Sequence, residues 1–168
     1  MEAHMNRETY QKITDYIREE PRRVQILRSV NLLLTGFIFL LYPLFLFVLF
    51  SRKNPFLLRA VIVPAVCFAA LTVFRKICNA PRPYETYGIP PILEKDTRGM
   101  SFPSRHVFSV FMIAMTVCYV HTDAGIMLCL LGAALALIRV IGGVHFPRDV
   151  IAGALFGIVG GLIGYYVL

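Results

Sequence analysis

Near its C-terminal end the chain reads Arg139-Val140-Ile141-Gly142-Gly143-Val144-His145-Phe146-Pro147-Arg148-Asp149. An arginine, a histidine and an aspartate thus sit between two long apolar segments. Charge at the edge of a membrane span is expensive, so a cluster of this kind points to a functional site. The spacing of His145 and Asp149 lets a carboxylate orient an imidazole at the start of a helix, and Pro147 suits that helix's first turn. A plainer reading competes: Arg139 and Arg148 mark a membrane boundary and His145 is a loop residue. The stretch by itself does not decide between the two.

Two further groups extend the chemistry. Arg82, Arg139 and one of Arg75 or Lys76 supply fixed positive charge and forked donors, a set suited to a tetrahedral oxyanion such as phosphate. Pro103-Ser104-Arg105-His106 opens an apolar segment. A helix starting there points free backbone N–H groups at an anion, and Ser104 adds a hydroxyl. His145, held by Asp149, has the makings of a nucleophile towards phosphorus, and His106 of the general acid for the leaving oxygen. Arginines can stabilise a transferring phosphoryl group without metal. Two histidines and an aspartate could instead hold zinc, but the arginines would repel a dication. No metal and no cofactor is expected.

The elements that must position these residues are membrane helices. Hydrophobic residues make up 57% of the 168-residue chain and charged residues 16%, and the excess lies in long uncharged runs. The expectation is an all-α, polytopic membrane helix bundle of about five transmembrane helices plus an N-terminal amphipathic helix. Residues 1–28 form the amphipathic membrane-surface helix and leader, and residues 29–168 the transmembrane domain. Tyr10, Ile13, Tyr16 and Ile17 recur at helical spacing between Asn6 and Glu20, where Pro21 ends the pattern. The spans run Ser29 to Ser51, Pro55 to Phe74, Pro103 to His121, Ala124 to Ile141 and Pro147 to Leu168. A polar loop rich in proline and glycine, Asn79 to Phe102, separates the second from the third. Gly153, Gly157 and Gly161 make a small-residue ridge on the last span, which serves helix packing. The four cysteines fall in or beside apolar runs, with no Cys-x-x-Cys pair, and read as small hydrophobes.

This topology gathers the chemistry. If the last four spans all cross, the Asn79–Phe102 loop and the Gly142–Phe146 connection open on one side. Arg75, Arg82, Ser104, His106, Arg139, His145 and Asp149 then share one membrane face. Such convergence from distant parts of the chain favours a site over a boundary. The net charge of +7 fits anionic headgroups at the rims. No contiguous basic face with stacking aromatics is present, so nucleic acid is not an expected partner.

At these residues the chain resembles the type 2 phosphatidic acid phosphatase superfamily of membrane lipid phosphatases, related to vanadium haloperoxidases. The family pattern has three parts: Lys, six residues, Arg-Pro; then Pro-Ser-Gly-His; then Ser-Arg, five residues, His, three residues, Asp. Arg82-Pro83 matches the end of the first part, but Arg75 stands where the lysine belongs and Lys76 is one residue off. Arg105 replaces the glycine of the second part, and Ile138 the serine of the third. The positions of nucleophile, acid and relay match His145, His106 and Asp149. The resemblance implies a metal-independent phosphatase that acts through a phosphohistidine on a lipid phosphate or diphosphate, of the polyprenyl diphosphate (undecaprenyl diphosphate among them) or phosphatidic acid type. Arg82, Arg139, Ser104, Arg75, Lys76 and Arg105 are the candidate phosphate ligands.

The partners implied are a lipid phosphate and the bilayer. The family commonly places its site on the extracytoplasmic side of the cell membrane. The basic N-terminal segment, which five spans would put on the same side, argues for a cytoplasmic site. Two other function classes are compatible with the same residues, a lipid phosphotransferase and a non-catalytic phosphate-binding protein. A single rim site without internal repeats argues against a transporter.

Overall fold

The computed structural model describes residues 5–95 and 97–167. Asp96 in the polar loop and Leu168, where the last span was expected to end, lie outside them. The elements are helical: α1 (Arg7–Arg18), α2 (Pro21–Ser51), α3 (Phe56–Cys78), α4 (Pro83–Tyr87), α5 (Arg105–Val120), α6 (Thr122–Ile141) and α7 (Pro147–Leu162), closed by a π turn over Ile163–Val167.

Among the described residues, four segments are long and apolar enough to cross a membrane: Pro21–Ser51, the one beginning at Phe56, Thr122–Ile141 and Pro147–Val167. The fifth crossing is α5, which has 16 residues. At 1.5 Å per residue it is about 24 Å long, short of the ~30 Å hydrocarbon layer. It need not meet lipid, because it is the axis of the bundle. Every residue from Val107 to Val117 is buried. By contrast α2, equally apolar, buries only Ile38 and Leu49.

Small residues explain the burial of α5. A notional Cβ on Gly157 would lie 2.8 Å from the Phe108 carbonyl oxygen, and one on Gly161 would lie 2.4 Å from Met115 Cβ. The glycine ridge of α7 therefore lets two helix backbones approach closely. Gly132 does the same for α6, facing Val110 and Phe111.

Two boundaries differ from expectation. The first membrane helix starts at Pro21, not Ser29, because proline is tolerated at a helix's first position. Arg23, paired with Glu19 and Glu20, thus belongs to a polar extension of that helix. The long loop also holds a helical turn, α4, started by Pro83 and closed by Gly88 at φ 69°.

The N-terminal helix packs on the loops rather than standing alone. Tyr10 is 1% exposed, and its hydroxyl donates towards the carbonyls of Ile89 (3.2 Å) and Gly143 (3.4 Å). Arg18 donates to the Pro90 carbonyl at 2.8 Å. The N-terminal helix and the Gly142–Phe146 connection therefore lie at the same end of the bundle.

Candidate active site

The site is built where α3, α5, α6 and α7 meet the loops. Phe146 precedes Pro147 at the start of α7, and Asp149 turns back so that its Oδ2 accepts the Phe146 amide at 3.0 Å. This cap fixes the carboxylate beside the preceding residue, His145. Asp149 Oδ2 is 3.6 Å from His145 Nδ1 and accepts the Ser101 hydroxyl at 2.5 Å. Ser101 Oγ is also 3.4 Å from His145 Nδ1. A proton on Nδ1, facing this carboxylate, leaves Nε2 with its lone pair.

The backbone around His145 is held from above. Gly143 has φ 76°, and a Cβ there would lie 2.6 Å from the Tyr10 hydroxyl oxygen, so glycine is required for both conformation and space. Tyr87 stacks edge-on against Phe146 with centroids 5.9 Å apart, and Tyr10 lies against Tyr87.

His106 comes from the first turn of α5. Its height relative to α7 is set by one backbone bond: the Ser104 amide donates to the Asp149 carbonyl at 2.8 Å. Arg139, at the end of α6, places Nη2 3.4 Å from His106 Nδ1 and Nη1 3.3 Å from Asn31 Oδ1.

The remaining basic residues divide by what they hold. Arg75 is buried, and its guanidinium donates to the carbonyls of Met100, Ser101 and Pro103. Lys76 is exposed. The structure thus turns Arg75 inward, where it shapes the 100–103 loop. Arg82 donates to the carbonyls of Gly99 (3.1 Å) and Val144 (3.0 Å), tying the loop to the His145 segment. Glu85 completes that frame by accepting the amides of Arg82 and Gly99, each at 2.9 Å. Arg105 is exposed, its guanidinium carbon 5.8 Å from the Phe68 ring centroid.

Electrostatics follow from this crowding. Burial, reinforced by Arg82 and Arg139, pushes the His145 imidazole down to about 4, although Asp149 opposes the shift. At neutral pH His145 is therefore uncharged. Burial also lowers the Arg82 guanidinium and the Lys95 amine, the latter helped by Arg82, Arg139, Arg105 and Arg75.

Two donors at this site have no acceptor among the described residues. Ser104 Oγ and Arg139 Nε are buried without a hydrogen-bond partner among the described residues. Leaving such a group unmatched costs about 1–3 kcal/mol, so each is a donor suited to an oxygen-rich ligand. Among the described residues no three His, Cys, Asp or Glu side chains converge as metal ligands.

All the sequence candidates lie at this end of the bundle, with Lys76, beside Arg75 in the last turn of α3, exposed there. Reading the sequence missed three contributors. Ser101 carries no periodic or motif signal beyond lying two residues before Pro103. Lys95 is one cation among several in a polar loop. Tyr10 gave a helical-spacing signal but no indication of its partner.

Residues 56–168 match the family model described as the PAP2 superfamily. The chain belongs to the PAP2 superfamily. Two solved structures share the fold. One is LpxE of Aquifex aeolicus: TM-score 0.70, 26% identity, 95% of this chain and 94% of that one. The other is the first transmembrane PAP2-type phosphatidylglycerolphosphate phosphatase from Bacillus subtilis: TM-score 0.71, 19% identity, 94% of this chain and 83% of that one. In sequence, 66 residues are 36% identical to the bacitracin transport permease protein BcrC of Bacillus licheniformis, covering 39% of this chain and 32% of that protein. The match thus spans about a third of that relative's length. As a PAP2 superfamily member with four long apolar helices, the chain is an integral membrane protein.

Proposed function

We propose that this protein is a metal-independent membrane phosphatase that hydrolyses a lipid phosphate or diphosphate through a phosphohistidine at His145. The observation that carries this is the buried His145–Asp149–Ser101 set beside donors that lack acceptors, Ser104 Oγ and Arg139 Nε.

The reaction runs in two displacements. The substrate phosphoryl group enters with its oxygens facing Arg82, Arg139, Ser104 and the start of α5. Its negative charge draws a proton onto His106, and Arg139 turns from His106 Nδ1 to a phosphate oxygen. His145 Nε2 attacks phosphorus, and the bond to the leaving oxygen breaks with its electron pair going to that oxygen. His106 delivers the proton there. Asp149 stabilises the charge that develops on His145, as a buried carboxylate does for an imidazolium. Water then attacks the phosphohistidine, His106 takes its proton, and orthophosphate departs.

A lipid substrate is favoured by the surroundings. A cavity of about 290 Å³ lined by Phe39, Phe68, Arg105, His106 and Ser109 shares Phe39, Phe68 and Ser109 with an apolar one of about 340 Å³ between α2, α3 and α5. The second would take an acyl or prenyl chain. By the superfamily resemblance the site faces the extracytoplasmic side of the cell membrane. Labelling of a cysteine placed at Thr86, by a membrane-impermeant reagent on intact cells, tests that face.

The deciding experiment assays purified protein, with a chelator present, on a prenyl diphosphate, a phosphatidic acid and a sugar phosphate. Phosphate release from a lipid substrate in chelator is expected. His145→Ala should lower turnover by at least about a thousandfold while eluting from size exclusion like the wild type. Undiminished release by that variant rules out the phosphohistidine route.

A further inference from the structure

The match to the family begins at residue 56, yet the turn that carries His145 is also held from further up the chain. Two successive glycines, Gly142 and Gly143, lead into Val144 and His145. Without side chains they leave the backbone free to rotate. The placement of His145 therefore depends on what grips the peptide groups before it. Each carbonyl of this lead has its own donor. The Gly142 carbonyl accepts the amides of Ile92 and Leu93, at 3.0 and 3.1 Å. The Val144 carbonyl accepts Arg82 at 3.0 Å. Between them, the Gly143 carbonyl accepts the Tyr10 hydroxyl of α1 at 3.4 Å. The peptide joining Gly143 to Val144 is thus held on both edges, because its N–H donates to the Arg139 carbonyl at 3.2 Å.

The seat of Tyr10 is built rather than incidental. Asn6 caps α1 by accepting the Thr9 amide at 2.8 Å, and the Tyr87 hydroxyl donates to the Met5 carbonyl just ahead of it. The Tyr10 ring lies 5.5 Å from that of Tyr87, whose edge meets Phe146, the residue after His145. Tyr10 therefore bears on the chain on both sides of His145, directly before it and through Tyr87 after it. Burial pushes the Tyr10 phenol up to about 12, so it keeps its proton, and its role as donor, at neutral pH. Its partners are the backbone carbonyls of Ile89 and Gly143, so it acts on the turn and not on the groups that face phosphate.

Resting on the phosphatase reading, we propose that Tyr10 is a positioning residue for His145, so that the N-terminal helix, outside the residues matched to the family, belongs to the working unit of the enzyme. The hydroxyl fixes the Gly143–Val144 peptide, and with it the approach of His145 Nε2 to phosphorus. Asp149 and Ser101 orient the ring of His145; Tyr10 fixes where its backbone stands. Removing the hydroxyl frees one peptide in a two-glycine turn and leaves Arg82, Arg139 and Ser104 to bind phosphate as before. The cost falls on the attack and not on substrate binding.

The test measures kcat, per folded enzyme, and KM for the full chain in detergent micelles, on whichever of phosphatidic acid and a prenyl diphosphate wild type hydrolyses. Tyr10→Phe keeps the ring against Tyr87 and removes the hydroxyl alone. It should lower kcat roughly tenfold, as a misplaced nucleophile does, and leave KM within about twofold of wild type. Arg18→Gln removes another tether of α1, the bond to the Pro90 carbonyl, without touching the turn, and should keep kcat within about twofold. An unchanged kcat in Tyr10→Phe, a loss carried by KM, or an equal fall of kcat in both variants overturns the positioning role. Each of these leaves the phosphatase reading standing, since His145→Ala tests it separately. Hydrolysis of neither lipid by wild type overturns both.

Discussion

The two ends of the bundle solve the same problem in opposite ways. At the end away from the site, polar groups find partners. The Tyr165 hydroxyl lies 2.8 Å from Thr116 Oγ1, Tyr42 donates to the Ala60 carbonyl at 2.6 Å, and Arg59 donates to the Gly164 carbonyl at 2.8 Å. Phe56 stacks on Tyr119 with centroids 4.6 Å apart. At the site end, Arg75 and Arg82 spend donors on loop carbonyls, while Ser104 Oγ and Arg139 Nε are left without acceptors. The same helices run through both ends. Among the unpartnered donors of the described residues, Ser104 Oγ and Arg139 Nε belong to residues beside His106, where a ligand oxygen could meet them.

Substitutions can test that contrast. After His145→Ala, the largest effect is expected from His106→Ala, which should lower kcat on a lipid phosphate by about 10²–10⁴-fold, the range for a lost general acid. With an aryl phosphate, whose leaving oxygen needs no proton, the loss should shrink; an equal loss on both would remove His106 from the acid role. Next comes pH. With the His145 imidazole lowered to about 4, the acid limb of kcat/KM from this group should lie near there, well below the ordinary histidine value of about 6.5. The stability contribution has a matching sign. Because the folded imidazole is harder to protonate, it is present above about 6.5 and is lost as pH falls towards 4. A wild-type midpoint of thermal unfolding that falls over that window, compared with His145→Gln, checks it.

A packing change at the site end should register in both stability and rate. A Cβ on Gly153 would lie 2.6 Å from the Ser104 carbonyl oxygen, so Gly153→Ala must push α7 from α5 where both histidines are positioned. Overpacking of this kind costs about 1–3 kcal/mol, and misplacement approaching 1 Å can cost about a hundredfold in rate. The smallest effect is expected at the opposite end. Tyr165→Phe should cost about 1 kcal/mol through the lost Thr116 contact, with turnover unchanged. An activity loss there would show that the two ends are coupled.

Much of this was legible in the sequence for physical reasons. Uncharged runs delimit helices because water and lipid sort side chains strongly. The spacing of His145 and Asp149 survives because both lie within one helix start. What escaped depends on tertiary partners. The sequence does not distinguish α2 from α5 by hydrophobicity; the glycines of α7 and α6 decide that α5 is enclosed. Arg75 and Lys76 are adjacent, and only the carbonyls of the 100–103 loop determine which turns inward. Ser101 reaches Asp149 across 48 positions of sequence, a contact that no local pattern encodes. The start of α2 at Pro21 was masked because a proline after a polar helix reads equally well as an end or a beginning.

The single backbone bond from the Ser104 amide to the Asp149 carbonyl has a consequence for the protein's response to its membrane. The nucleophile and the acid are measured from one shared point on two helices that meet backbone to backbone. Bilayers of different thickness act on helices that lipid touches, tilting them to match. Here those are α2 and the outer faces of α3, α6 and α7, not the enclosed α5. Because the Ser104–Asp149 bond and the α7 glycines hold α7 against α5, the two should move together, and turnover of a short-chain soluble analogue should stay level across bilayers of graded acyl length.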